Sequence, residues 1–346
     1  MAAESRSWRR GLFRIHAWIG LQFGFLLFAV CFTGTLAVLS AELTWLADPQ
    51  LRAGGQAPAD SAPLSWQRLH DVVAAAHPQA AILYLHAPEG PRSVARAVIA
   101  YGPQDYRWVP VDVTQGYAVR DHRSSFGLQS FLRILHKQFY LVPAVIGIHG
   151  TLIVGALGLP LLLAVFTGLV SVKRWWRAMR QVRRGRSARL FWSDLHRFAG
   201  LWAALVTLLL ALTGLWYFAE TILERSGLLH EDGPRVRLSA AVMEQRPALL
   251  PPSDLNRAAL VAQAAWPGLR LTQLALPVRG DDALVFTGPA EAWLVRDRAN
   301  KILIDPFAYT VLQAQHGEDL PAGQRWIETA DPLHFGSFAG LGSKLV

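Results

Sequence analysis

At 346 residues the chain is long enough for two ordinary soluble domains, yet 52% of it is apolar, only 17% is charged and its mean hydropathy is positive, which places it in a membrane class. The net charge of +9 comes from basic residues set beside apolar runs, a pattern of membrane orientation rather than of a nucleic-acid surface. The single cysteine, Cys31, leaves no ligand set for disulfides, thiolate zinc sites or iron–sulfur clusters, whereas the 11 histidines and 13 tryptophans are plentiful.

In chain order, residues 1–46 are a basic N-terminus (Arg6, Arg9, Arg10, Arg14) and a first span, whose apolar run extends from about Ala17 to Leu39. That run exceeds the roughly 7–15 residues of a signal-peptide core and meets the roughly 20 needed to cross a bilayer, so it is read as a retained helix. Residues 47–140 are polar, contain Pro and Gly, and predict a folded outer domain with an amphipathic helix over 64–76 and strands over 80–86, 94–101 and 107–113. A second span follows at 141–172, then a basic loop at 173–197 in which Trp175 and Trp176 fall where an aromatic belt sits. Residues 198–218 form a third span, and 219–332 a second outer domain with a helix over 254–265 and strands over 270–276, 283–287 and 302–304. The positive-inside rule puts the N-terminus and the basic loop in the cytoplasm and both outer domains in the periplasm of a bacterial inner membrane. Residues 333–346 begin a fourth span that stops short, and the expectation is a truncated chain.

The halves echo each other. His16-x-x-x-Gly20-Leu21 begins the first span and Thr33-Gly34 lies near its end; His196-x-x-x-Gly200-Leu201 and Thr213-Gly214 repeat this spacing in the third. Val111-Asp112 and Ile304-Asp305 introduce comparable turns, and Leu135-His136 resembles Leu333-His334. The fold class is therefore an α-helical membrane protein with α+β outer domains, a twofold repeat of span, outer domain and span. His16 and His196 fall at the cytoplasmic ends of their spans, one per half. His136 and His334 fall at the outer ends, again one per half, and His149 sits about two turns into the second apolar run. An imidazole in lipid is costly unless paired, and its neutral nitrogen can ligate haem iron axially. The ordinary readings are a headgroup neighbour for each histidine and helix contact for the glycines and for the Thr-Gly pairs. His70, His77, His86, His122, His230 and His316 occur at no matched spacing and are assigned to surfaces or turns.

In the order of these features the chain resembles the PepSY-associated transmembrane family, which includes iron-regulated membrane proteins and inner-membrane ferrisiderophore reductases. The resemblance covers essentially the whole chain, and the outer domains are similar to PepSY modules. It implies a four-span oxidoreductase carrying one or two b-type haems and passing electrons to ferric siderophore outside. The haem iron is then expected on His149, His334, His136, His16 and His196, with the pairing open. No GxxxxGK[ST], no GxGxxG after a strand and no HExxH is present. Electrons would come from a separate donor such as a quinol or a cytoplasmic reductase. Two other functions fit the same features: a membrane cytochrome serving another periplasmic acceptor, and a non-enzymatic protein whose PepSY-like domains restrain a peptidase.

Overall fold

The computed structural model describes residues 2–52, 65–90, 93–102, 105–112, 117–118, 122–123, 127–139, 147–183, 187–229 and 254–344; the side chains of 2–7, 117–118, 122–123, 147–148 and 339 fall outside that description. The chain divides into a helical unit (Met1–Val38, Leu132–His230, Leu333–Val346) and a β-rich unit (Leu39–Phe131, Glu231–Pro332).

Among the described residues three stretches of the helical unit are long and apolar enough to cross a membrane: Trp8–Val38 on α1 (Ala2–Val38), His149–Ser171 on α5 and α6 (Gly147–Ala156 and Gly158–Ser171), and α8 (Ala188–Arg225). Large apolar side chains face outward along them, Leu21 and Phe25 at 81% exposure and Leu205 at 77%, as a lipid-facing surface requires. Helices α1 and α8 begin earlier than their apolar runs do. Ser187 caps α8 by accepting from the Leu190 amide, so His196 lies two turns inside the helix rather than at its start. His16 is likewise well inside α1. The second span breaks at Leu157, because Pro160 has no N–H for the Ala156 carbonyl and its ring crowds it. There the Leu157 amide is shared between the Ile153 and Val154 carbonyls. Helix α6 packs on both α1 and α8. Gly158 makes the second contact close, since a Cβ there would lie 2.9 Å from Leu215 Cγ and 3.1 Å from the Ala211 carbonyl. Residues 141–146, the start of the expected second span, lie outside the described residues.

The β-rich unit is built on one antiparallel sheet. β1 (Ala81–His86), β2 (Ala95–Gly102) and β3 (Asp105–Asp112) come from the first outer region; β6 (Gln273–Ala275), β7 (Leu284–Thr287), β8 (Lys301–Ile304) and β9 (Val311–Gln315) come from the second. The order is β4-β3-β2-β1-β6-β7-β8-β9, with the short β4 (Tyr117–Ala118) beside β3 and β5 (His122–Arg123) also on β3. The two regions join at β1 and β6, where Leu85 pairs with Leu274 and His86 with Gln273. Alternation sends Leu85, Ala97, Val109, Leu274, Phe286 and Ile302 to one face, all fully buried. That face is covered by α3 (Trp66–Ala76) and α9 (Leu255–Ala265). Ser65 and Asp254 cap these helices, accepting from the Arg68 and Arg257 amides. The helix starts are cross-tied: the Gln67 amide donates to Asn256 Oδ1 (3.2 Å) and the Leu255 amide to Gln67 Oε1 (3.0 Å). Asp112 and Asp305 are both buried, and Asp305 Oδ1 accepts from the Phe307 and Ala308 amides, closing the turn its motif predicts.

Candidate functional site: two histidine pairs

In the helical unit four of the five candidate histidines meet in twos. His16 of α1 and His196 of α8 have ring centroids 6.0 Å apart at 52°. His136, near the end of α4 (Leu128–Gln138), and His334, near the end of α10 (Ala322–Phe335), have centroids 6.1 Å apart at 35°. Both carrier helices stop just beyond the histidine with a residue at positive φ, Phe139 (51°) and Gly336 (60°). His136 and His334 thus lie near the C-terminal ends of short helices.

Three of the four rings are seated on a neighbouring span. His16 Nδ1 lies 3.0 Å from the Ala164 carbonyl and 3.2 Å from Thr167 Oγ1. His136 Nδ1 lies 3.3 Å from Thr33 Oγ1. His334 Nδ1 lies 2.8 Å from Thr213 Oγ1, with Tyr217 edge-on at 5.1 Å. Two glycines let the rings in: a Cβ on Gly34 would stand 3.1 Å from His136 Cε1, and one on Gly168 the same 3.1 Å from His16 Cε1. Sequence reading assigned Thr33-Gly34 and Thr213-Gly214 to helix contact and passed over Thr167. The available signal was a Thr-Gly step at 33–34, 167–168 and 213–214.

Thr33 sits near the far end of α1 from His16, and Thr213 near the far end of α8 from His196. At about 1.5 Å per residue each separation is about 25 Å, close to the thickness of a hydrocarbon core of about 30 Å. The two pairs therefore occupy opposite ends of the same helices. His149 stands apart from both: it is exposed in the first turn of α5, and among the described residues no ring packs against it. His196 is also exposed, and among the described residues it makes no hydrogen bond.

The His16–His196 pair lines an open cleft of about 1080 Å³, whose rim carries Lys173, Arg174 and Arg177. Beside it the buried Asp194 carboxylate accepts from the Arg183 side chain (2.7 and 2.9 Å) and from Arg197, tying the basic loop to α8. Among the described residues no group of three or more His, Cys, Asp or Glu could enclose a metal ion. Two facing imidazoles instead suit an iron whose other ligands come from a macrocycle. A metal–imidazole nitrogen bond of about 2.0–2.1 Å, plus about 1.1 Å from nitrogen to ring centre on each side, calls for centroids about 6.3 Å apart. Both observed separations fit.

The remaining described histidines do structural work. His77 ends α3 and pairs its Nδ1 with the Tyr101 hydroxyl at 2.8 Å, and His316 packs on Trp266 with centroids 3.8 Å apart. His86 is neither in a turn nor on an open surface. It is half-buried on β1 against Trp108 (5.3 Å), where burial first and the Arg96 charge second push its pKa down to about 4. His230 and the side chain of His122 lie outside the described residues.

Comparison with known proteins places these features in a family. A Pseudomonas aeruginosa (strain PAO1) protein named only as uncharacterized protein PA4219 is 36% identical over 80 residues, 23% of this chain. The match spans about a fifth (19%) of the length of that relative. The family model for the PepSY-associated TM region matches residues 13–346, nearly the entire chain. With three apolar helices among its described residues and an antiparallel sheet domain, the chain is a membrane protein that belongs to the PepSY-associated transmembrane family.

Proposed function

We propose that this chain is a haem-carrying inner-membrane reductase that delivers electrons to ferric siderophore on the periplasmic side. The observation that carries the reading is the pair of imidazole gaps of 6.0 and 6.1 Å at opposite ends of the same two spans. His16 and His196 would hold one haem b, and His136 and His334 a second. Bound there, haem iron supplies one-electron exchange without proton transfer. The residues bring ligand nitrogen, fixed ring orientation and an apolar wall from the helices. Lys173, Arg174 and Arg177 at the cleft rim offer cations for the carboxylates that a haem carries.

Orientation follows the basic flanks. The N-terminus and the loop holding Lys173 to Arg183 lie in the cytoplasm, so a quinol or a cytoplasmic reductase meets the His16–His196 end. The sheet domain lies in the periplasm. An electron received by siderophore-bound ferric iron gives ferrous iron, which leaves because hydroxamate or catecholate oxygens suit the harder ferric ion better. A twofold repeat explains why each half contributes one histidine to each pair, and why α3 with β1–β3 and α9 with β6–β8 build matching parts of the sheet domain. The test is a reduced-minus-oxidised absorbance spectrum of the purified protein. A b-type Soret and α band is expected, and their absence removes the reading. Anaerobic mixing of the reduced protein with ferric siderophore should then reoxidise it; a protein that stays reduced serves another acceptor.

A further inference from the structure

Thr33, Thr167 and Thr213 are buried at 7%, 2% and 0% exposure on three spans, and each touches the Nδ1 atom of a different candidate histidine. Each hydroxyl also has a backbone carbonyl one turn back: Thr33 donates to Ala29 (2.7 Å), Thr167 to Leu163 (2.6 Å) and Thr213 to Leu209 (2.8 Å). A hydroxyl has one proton. Once it is given to the carbonyl, the oxygen can only accept, so the imidazole nitrogen facing it must carry a hydrogen. One of the rings meets an independent requirement of the same sign. A carbonyl never donates, yet Ala164 O sits 3.0 Å from His16 Nδ1.

We propose that Thr33, Thr167 and Thr213 are positioning residues that hold His136, His16 and His334 in the Nδ1–H tautomer, so that Nε2 presents its lone pair as the iron ligand. The ligation half of this inference rests on the haem reading above; the tautomer half does not. Free histidine in water prefers the opposite tautomer, so the hydroxyl selects the less populated form and fixes the ring plane with it. The adjacent glycine completes two of the seats. A Cβ on Gly34 or on Gly168 would stand at the same 3.1 Å from Cε1 of its ring, although the two lie on different helices at opposite ends of the unit. Gly214 has no neighbour within 4 Å of a built Cβ, and Tyr217 one turn on borders His334 instead. At Thr33-Gly34 and Thr167-Gly168 both residues of the step border a histidine, and at Thr213-Gly214 the threonine alone does. A ligating imidazole that donates its second N–H is more basic towards iron, which favours the ferric state and lowers the reduction potential.

The experiment compares full-length wild-type protein with Thr213→Val, Thr213→Ser, Thr33→Val and Thr33→Ser in lipid nanodiscs. Histidine ¹⁵N shifts of haem-free protein read the tautomer, and potentiometric titration of haem-loaded protein reads the potential. Wild type and both serine variants should show Nδ1–H at the affected histidine. The valine variants, equal in size but without the hydroxyl, should lose that signature, bind haem about 10–100-fold more weakly and titrate at a higher potential. Valine variants with unchanged tautomer and potential would overturn the inference. So would serine variants as defective as valine, since that marks packing and not the hydroxyl. A wild type that takes up no haem sinks the proposed function and the ligation half together, while the nitrogen spectrum still decides the tautomer half.

Discussion

Gly34 and Gly168 show how narrow the tolerance around a seated imidazole is. The built Cβ distance of 3.1 Å is tighter than ordinary contact, so Gly34→Ala must move the His136 ring by a few tenths of an ångström. The shift is small for folding and large for ligation, where geometry counts to about 0.5 Å. If each pair holds a haem, as proposed, Gly34→Ala should lower haem occupancy at the His136–His334 end alone, and Gly168→Ala at the His16–His196 end alone, read as loss of one of two redox waves. Loss of both waves from either variant would mean general unfolding. At His86 the consequence is a pH dependence of the sheet domain. Its folded pKa of about 4 lies below the ordinary 6.5, so protons bind the unfolded chain more tightly. The stability due to neutral His86 is complete above about pH 6.5 and is lost as pH falls towards 4, by at most about 3 kcal/mol. Thermal unfolding between pH 7 and 4 should show this slope, and His86→Gln should flatten it.

At the scale of elements, the strands and amphipathic helices of the sheet domain were legible because alternation and helical spacing are local signals. The helix expected over 64–76 is Trp66–Ala76, and the strand over 283–287 is Leu284–Thr287. Two things were not legible. β9 (Val311–Gln315) is mostly exposed and carries no apolar alternation. The pairing of β1 with β6 joins regions nearly two hundred residues apart, and nothing in either strand names its partner. That seam can be weakened from one position. Leu274 is fully buried opposite Leu85, and Leu274→Ala should cost about 2–5 kcal/mol through lost burial and the cavity left behind. Amide hydrogen exchange in β1 and β6 should quicken by about 30-fold or more, with exchange in the spans unchanged. A second tie fastens α10 to the sheet domain: Arg296 donates to Glu328 (2.7 Å) and Asp331 (3.0 Å), with Glu328 only 15% exposed. Arg296→Met should remove that tie, leaving Glu328 its bond from Arg298 (3.2 Å), and raise exchange along α10.

For the whole molecule, the positions of the candidate histidines were readable but their partners were not. Spacing groups His16 with His196 and His136 with His334 by the end of the span at which they fall, one per half, and leaves the pairing open. The structure brings the two members of each group ring to ring across the halves, because spans that run the depth of the bilayer bring like ends together. Pairing is a long-range property, and a single sequence shows spacing only. If each pair holds its own haem, ligand loss must be local. His334→Ala should abolish the same redox wave as His136→Ala and leave the other intact; His16→Ala and His196→Ala should behave as a second matched couple. His149→Ala should leave haem content unchanged. Pyridine-haemochrome assay would read two haems per chain in wild type, one in any single variant of either couple, and none in His16→Ala/His136→Ala. Electrons from a cytoplasmic donor should then still reduce the one remaining haem in His136→Ala but fail to reach ferric siderophore. In His16→Ala the outer haem should be chemically reducible by dithionite and no longer by the donor. A protein in which either single variant keeps full transfer would use one haem only. The separation of about 25 Å between the pairs would then have to be bridged by a mobile carrier.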